Sequence, residues 1–188
     1  GDEIGKMAYG TGSIPFIRTS DISNWELKTD PKHGVSDDIY WAYKHKQDVQ
    51  PHDILMVRDG TYLIGTTAMI TEQDTKILFQ SHLYKIRAHK PDELDPFMLL
   101  AILNAPIVKR QIRAKQFTQD IIDTLGKRIY EVILPIPKDK TLRDRIARET
   151  REIVLARVEL RNKAKQIALA VEGATEPAEE EKELLENI

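Results

Sequence analysis

The chain contains no cysteine among its 188 residues. That excludes disulfides, a thiolate nucleophile and a cysteine zinc site. It fits a reducing compartment, and the expected location is cytoplasmic. No run of about 18 uncharged apolar residues occurs, so no membrane span is expected. There is no Walker-type phosphate loop and no GxGxxG turn. The histidines, His33, His45, His52, His82 and His89, are scattered. None of them has the HExxH spacing that sets two imidazoles on one helix face around zinc. Gly1-Asp2-Glu3 lacks the basic and apolar regions of a signal peptide. No internal repeat is visible. No metal and no cofactor is expected.

What is present is an ordinary globular composition, 41% hydrophobic and 31% charged. The length suits one domain plus an appendage. The formal net charge of −2 hides an asymmetry. Residues 172–188 carry seven Glu and one Lys, which leaves 27 basic and 23 acidic residues in 1–171, a net of +4. The body is mildly basic and the tail acidic. A mildly basic body is compatible with nucleic acid, and equally with many neutral enzymes.

Along the chain, Ile14–Thr19 reads as a strand that ends in the polar run Arg18-Thr19-Ser20-Asp21. Asn24, Asp30, Pro31 and Gly34 mark a turn-rich stretch. Residues 37–47 form a short helix or an irregular segment bearing Tyr40, Trp41 and Tyr43. Three strands are predicted at 53–60, 62–71 and 76–88. The first closes on Asp59-Gly60, a hairpin signal. Gly65 in the second suggests a bulge or a close backbone approach. From Pro96 the period becomes helical, with Pro96 at the first helical position and Pro106 dividing the segment in two. Ile107, Val108 and Ile112 are expected to face inward on the second piece. Residues 128–137 return to strand-like character before Pro135 and Pro137. Thr141 with Asp144 suggests a capping box for a long final helix. The predicted fold class is α+β: a curved, mostly antiparallel sheet with short helices, followed by a long protruding C-terminal helix. The predicted divisions are a domain over 1–140, the helix over 141–171 and an acidic, disordered tail over 172–188.

Two stretches invite an enzymatic reading. Asp53 followed by Asp74-Thr75-Lys76 has the order of a metal-dependent nuclease that uses two acidic groups and a lysine. Against it, Asp74 falls in a polar turn and not on a strand. "DPF" at 95–97 has the shape of an adenine-methyltransferase motif but lacks its second proline.

The ordered features "IPFIRTSDI", "HDILMVRDG…IGTTAMI", "PFMLLAILNAP" and "IIDTLGKRIYEVILPIPKDKTLRDRIARE" resemble a recognition domain with its helix. The family is the DNA-specificity subunits of type I restriction-modification systems; the equivalent C-terminal domain of a fused adenine methyltransferase is similar. The resemblance spans about residues 12–170. It implies a non-catalytic component that selects a DNA sequence. Its implied partners are double-stranded DNA, an adenine methyltransferase subunit and the restriction nuclease-translocase subunit. A second recognition domain, or a second copy of the chain, is implied through the helix. The sequence departs from the pattern in three ways. It has one domain and one helix; His52 stands where a glycine commonly precedes the Asp-Ile pair; and no glutamine is evident near Leu142-Arg143.

Base reading needs side chains with fixed donor and acceptor forks, while phosphate contacts set position. Three groups qualify: Arg18, Thr19, Ser20 and Asp21; Arg58, Asp59, Gly60, Thr61 and Tyr62; and Lys115, Gln116 and Thr118. Lys109, Arg110 and Arg113 suit phosphate contacts, or simply a solvated helix face. Arg18 and Asp21 equally suit an internal pair that caps a turn. On the long helix, Ile146, Ile153, Leu160 and Ile167 recur every seven residues, which suits one partner helix; a helix folded back on its own domain is the plainer option. Two other classes remain open. One is the nuclease using Asp53, Asp74 and Lys76. The other is a protein-binding adaptor using the helix and the aromatic segment 40–43.

Overall fold

A computed structural model of the chain describes residues 1–174 apart from Asp30, Thr61 and Asp120. The side chains of Gln119, Glu172 and Ala174 also lie outside the described set. So does the expected disordered tail from residue 175 onward.

The apolar run Ile54–Val57 forms β4, whose four residues are all buried. Successive strand side chains point to opposite faces. Ile54 and Met56 enter one core cluster with helical partners, while Leu55 and Val57 enter another. A strand covered on both faces reads as continuous hydrophobicity rather than alternation. β4 pairs antiparallel with β6 (Thr67–Met69) on one side and with β8 (Leu83–Ile86) on the other. The other pairings are small. β1 (Phe16–Ile17) pairs parallel with β7 (Leu78–Phe79). β2 (Ile22–Ser23) pairs with β3 (Glu26–Leu27) across Asn24 and Trp25, whose φ values of 50° and 69° build a tight hairpin turn. β5 (Asp59–Gly60), β10 (Ile122–Thr124) and β9 (Phe117–Gln119) form a three-stranded sheet in that order. The predicted α+β class and largely antiparallel pairing are present, with the sheet divided, among the described residues, into four short pieces.

Several predicted strands are shorter than expected. Residues 14–19 keep only Phe16–Ile17, because Thr19–Asp21 turns into a 3-10 helix. The 76–88 run breaks at Gln80–His82, between β7 and β8. Residues 128–137 are not a strand: Gly126–Glu131 forms a 3-10 turn, and irregular chain follows it. Gly126 adopts φ 49°, which starts that turn, and Pro135 and Pro137 have no N–H to give to a ladder.

The helices follow their caps. α1 (Asp37–Gln47) begins at Ser36, whose hydroxyl accepts from Ile39 N. α2 (Pro96–Asn104) begins at Asp95, which accepts from Phe97 N at 2.7 Å and Met98 N at 3.3 Å. α3 (Pro106–Lys115) starts at the predicted break. It buries Val108 and Ile112, but Ile107 is exposed, contrary to expectation. The i, i+4 spacing of Val108 and Ile112 uses a single narrow stripe, and Ile107 lies a hundred degrees off it. Gly65 (φ 84°) meets α3 closely: a Cβ there would lie 3.0 Å from the Ile112 side chain. That is the predicted close approach.

α4 runs Lys140–Ala174. Its cap is Asp139, which accepts from Thr141 N at 2.9 Å, and not the Thr141–Asp144 box; Asp144 pairs with Lys140 instead. The chain divides into one compact unit through Val154 and a second that begins at Leu155. Within the first, Ala147 and Val154 join the main core and Ile146 packs partly against it. His52, at the position where the resembling family has glycine, adopts φ 69° and lays its ring 5.1 Å from that of Phe97. The left-handed backbone is the physical reason a glycine suits that site. No described helix is long and apolar enough to cross a membrane.

Candidate nucleic-acid interface

The backbone gathers two of the sequence-predicted groups on one rim. Ile17 O accepts from Gln80 N at 2.9 Å, and Arg58 N donates to His82 O at 2.9 Å. The ends of β1 and β4 therefore flank the same short segment, Gln80-Ser81-His82. The third group joins through β5. Asp59 pairs with Thr124 and Gly60 with Asp123. Leu125 N donates to Arg58 O at 3.1 Å. The hairpin of β9 and β10 thus extends directly from the Arg58–Gly60 backbone.

The first group is closed on itself. Arg18 N, Nε and Nη2 donate to the Asp21 carboxylate at 2.9, 3.1 and 3.0 Å. Arg18 Nη1 donates to His33 Nε2 at 2.9 Å. Asp21 is buried, Thr19 half-buried and Ser20 exposed. The pair caps the 3-10 turn Thr19–Asp21.

The second group is more open. Arg58 reaches Asp59 Oδ2 through Nε at 2.8 Å and Nη2 at 2.7 Å. Asp59 is buried and also holds His82 Nδ1 at 2.7 Å and the Thr124 hydroxyl. Burial raises the Asp59 pKa, but the hydrogen bonds from Arg58, Thr124 and His82 outweigh it and hold the carboxyl below its ordinary value. The same hydrogen bond raises the Arg58 guanidinium against its own desolvation. Tyr62 is 89% exposed. Thr61 lies outside the described residues. Asp59-Gly60 is a paired strand segment and not the hairpin tip that the sequence suggested.

The third group carries polar atoms outward. Thr118 is exposed and donates to Asp123 Oδ1 at 2.8 Å. Lys115 pairs with Glu131 at 3.0 Å, and Gln116 is half-buried. Phe117 lies under the Arg128 guanidinium, 4.4 Å from its ring centre. On the basic helix face, Arg110 and Arg113 are exposed. Lys109 is not: it donates to Gly65 O, and burial lowers its pKa. Desolvation of an ammonium is offset here by a carbonyl, so Lys109 is occupied with holding the β4–β6 connection.

His82 and Thr124 were missed by sequence reading, although they complete the Asp59 network. His82 carried no spacing signal. "FTQ" and "IDT" on either side of Asp120-Ile121 did have the form of a hairpin, with Ile121 left 93% exposed. The nuclease alternative gains nothing from the geometry. Asp53 is fully buried and bound by Arg87 at 2.6 and 2.8 Å. Asp74 accepts from the Thr71 hydroxyl at 2.6 Å, and Lys76 pairs with Asp37 at 3.1 Å. Each of the three is engaged with a different partner. Among the described residues, no group of three or more His, Asp or Glu could hold a metal ion. Of the expected helix stripe, Ile146 packs partly on the domain core, while Ile153, Leu160 and Ile167 are exposed.

No protein-family model and no curated protein sequence matches the chain. Among solved structures it is similar to the crystal structure of the type I restriction-modification system S subunit from M. genitalium. The TM-score is 0.59 at 15% identity, over 90% of this chain. The chain spans 38% of that protein's length. The likeness extends over most of the chain and is one of fold, shared with part of an S subunit.

Proposed function

We propose that this chain is a DNA target-recognition module of the type I specificity class, and that the rim built from Arg58–Gly60, Gln80–His82 and strands β9 and β10, with the exposed Tyr62 close by in sequence, meets the duplex. The observation that carries the reading is the convergence of those segments on one edge of a fold similar to part of an S subunit. Exposed strand ends and a hairpin can enter a groove while the sheet behind them stays rigid. Arg110 and Arg113, on the exposed face of α3, suit phosphate contacts. Arg18 and Asp21 brace the rim, and Ser20 is the member of that group open to contact. The chain performs no chemistry of its own in this reading. It delivers DNA to a methyltransferase subunit and a nuclease-translocase subunit, in a cytoplasmic complex.

Ile153, Leu160 and Ile167 serve a second helix in this reading, supplied by another recognition module or by another copy of the chain. Their exposure, with that of Val171 on the same helix face, supports it. Exposed apolar rows of this length mark interaction surfaces.

The test is duplex binding measured across salt concentrations. Affinity is expected to fall linearly on a logarithmic scale, because each phosphate contact releases counterions. Undetectable or salt-insensitive binding contradicts the reading. Magnesium-dependent cleavage by the chain alone, abolished by Asp74→Ala, favours the nuclease instead.

A further inference from the structure

We propose that Arg58 reads a guanine in the major groove, and that Asp59 beneath it is a positioning residue that aims the guanidinium and does not itself touch a base. This rests on reading the rim as a DNA interface.

The carboxylate of Asp59 is buried and engaged at both oxygens. Its Oδ1 accepts from the Thr124 hydroxyl, and its Oδ2 accepts from Arg58 and lies 2.7 Å from His82 Nδ1. Its side chain is 8% exposed, whereas that of Arg58 is 37% exposed. The Arg58 backbone is clamped on both sides, its N–H on His82 O and its carbonyl on Leu125 N. The guanidinium thus stands on a fixed base with its Nε edge consumed. Among the described residues, Nη1 makes no hydrogen bond, and the outer edge of the fork keeps parallel N–H donors.

Two parallel donors need two acceptors. In the major groove, guanine offers O6 and N7 together, while adenine and cytosine each present a donor that would face the fork. The Arg58–Asp59 pair is also nearly neutral as a unit. That weakens its attraction for a phosphate but leaves the direction of its N–H groups intact. A fork already immobilised loses little rotamer freedom on binding. Arg18 differs, because His33 occupies its Nη1 and Asp21 its other edge.

The test is selection from a randomised duplex library by the full chain, followed by binding to the enriched duplex. The expected motif contains a guanine at which 7-deazaguanine, lacking only N7, lowers affinity by about tenfold or more. Inosine at the same position, lacking only the minor-groove amino group, leaves affinity within about twofold. Arg58→Ala and Arg58→Lys lose the preference at that position and keep the rest of the motif. The 7-deaza penalty vanishes in Arg58→Ala, because the two changes remove the same contact. Asp59→Asn weakens the same guanine preference more than any other position. A motif that Arg58→Ala recognises unchanged overturns the guanine assignment and leaves the DNA reading standing. A uniform loss over all duplexes with a shallower salt slope makes Arg58 a phosphate contact and also overturns it. Failure to enrich any motif overturns the DNA reading and the assignment together.

Discussion

Two turns of this molecule use the same chemistry to different ends. In both, an arginine lies on a buried aspartate at the end of a strand. At Arg18–Asp21 the carboxylate takes the arginine backbone N–H and the Nε/Nη2 edge of its fork, and His33 takes Nη1. At Arg58–Asp59 the carboxylate is divided among Arg58, His82 and Thr124, and one edge of the guanidinium stays open. A charged pair on a candidate rim is therefore no indication of contact by itself. The distribution of its hydrogen bonds decides whether it closes a turn or presents a donor.

That contrast can be broken by substitution. The largest effect is expected for Asp21→Ala, which removes the acceptor of three half-buried Arg18 donors at once and costs about 2 kcal/mol of stability. Chemical denaturation with an unchanged m-value checks this, and a cost under about 0.5 kcal/mol removes the structural half of the comparison. Next comes Arg58→Ala, expected to weaken binding to a preferred duplex by about tenfold or more, with a loss of about 1 kcal/mol in stability. Fluorescence anisotropy on a folded variant measures the first figure. Arg18→Ala is expected to leave duplex preference unchanged and affinity within about twofold, while costing about 1 kcal/mol of stability. If it shifts base preference as Arg58→Ala does, the two turns are functionally alike and the distinction fails.

The smallest effect concerns pH. The folded Asp59 pKa lies below its ordinary value of 3.8, so the folded state binds fewer protons than the unfolded chain near that pH. The stabilisation is complete above the ordinary value and is lost as pH falls through the lower, folded one. Urea midpoints between about pH 6 and pH 3 should therefore fall less steeply in Asp59→Asn than in the parent chain. An identical slope removes Asp59 from the acid response.

Much of the fold was legible because the strongest signals were local. Pro96, Pro106 and the apolar run at Ile54–Val57 each force a particular backbone, and the helices and the central strand fell where those residues set them. Strand lengths were not legible. Asp21 converts the end of β1 into a turn through a side-chain bond that periodicity cannot reveal. Gly60 pairs with a segment more than sixty positions away, so Asp59-Gly60 looked like a hairpin tip when it is part of a sheet. The candidate site was half legible for the same reason. Arg58 and Asp59 stood out by type, but the residues that divide Asp59's hydrogen bonds, His82 and Thr124, are brought in by strand pairing and by no local pattern. Lys109 shows the reverse error, since its basic side chain is spent on a backbone carbonyl.

Amide hydrogen exchange of the full chain, with and without a duplex it has selected, shows which surface meets the DNA. Slowed exchange is expected at residues 58–62, 80–82 and 117–124, with residues 155–171 unchanged. Protection confined to the long helix, or to the Tyr40–Tyr43 face of α1, would contradict a DNA-reading rim.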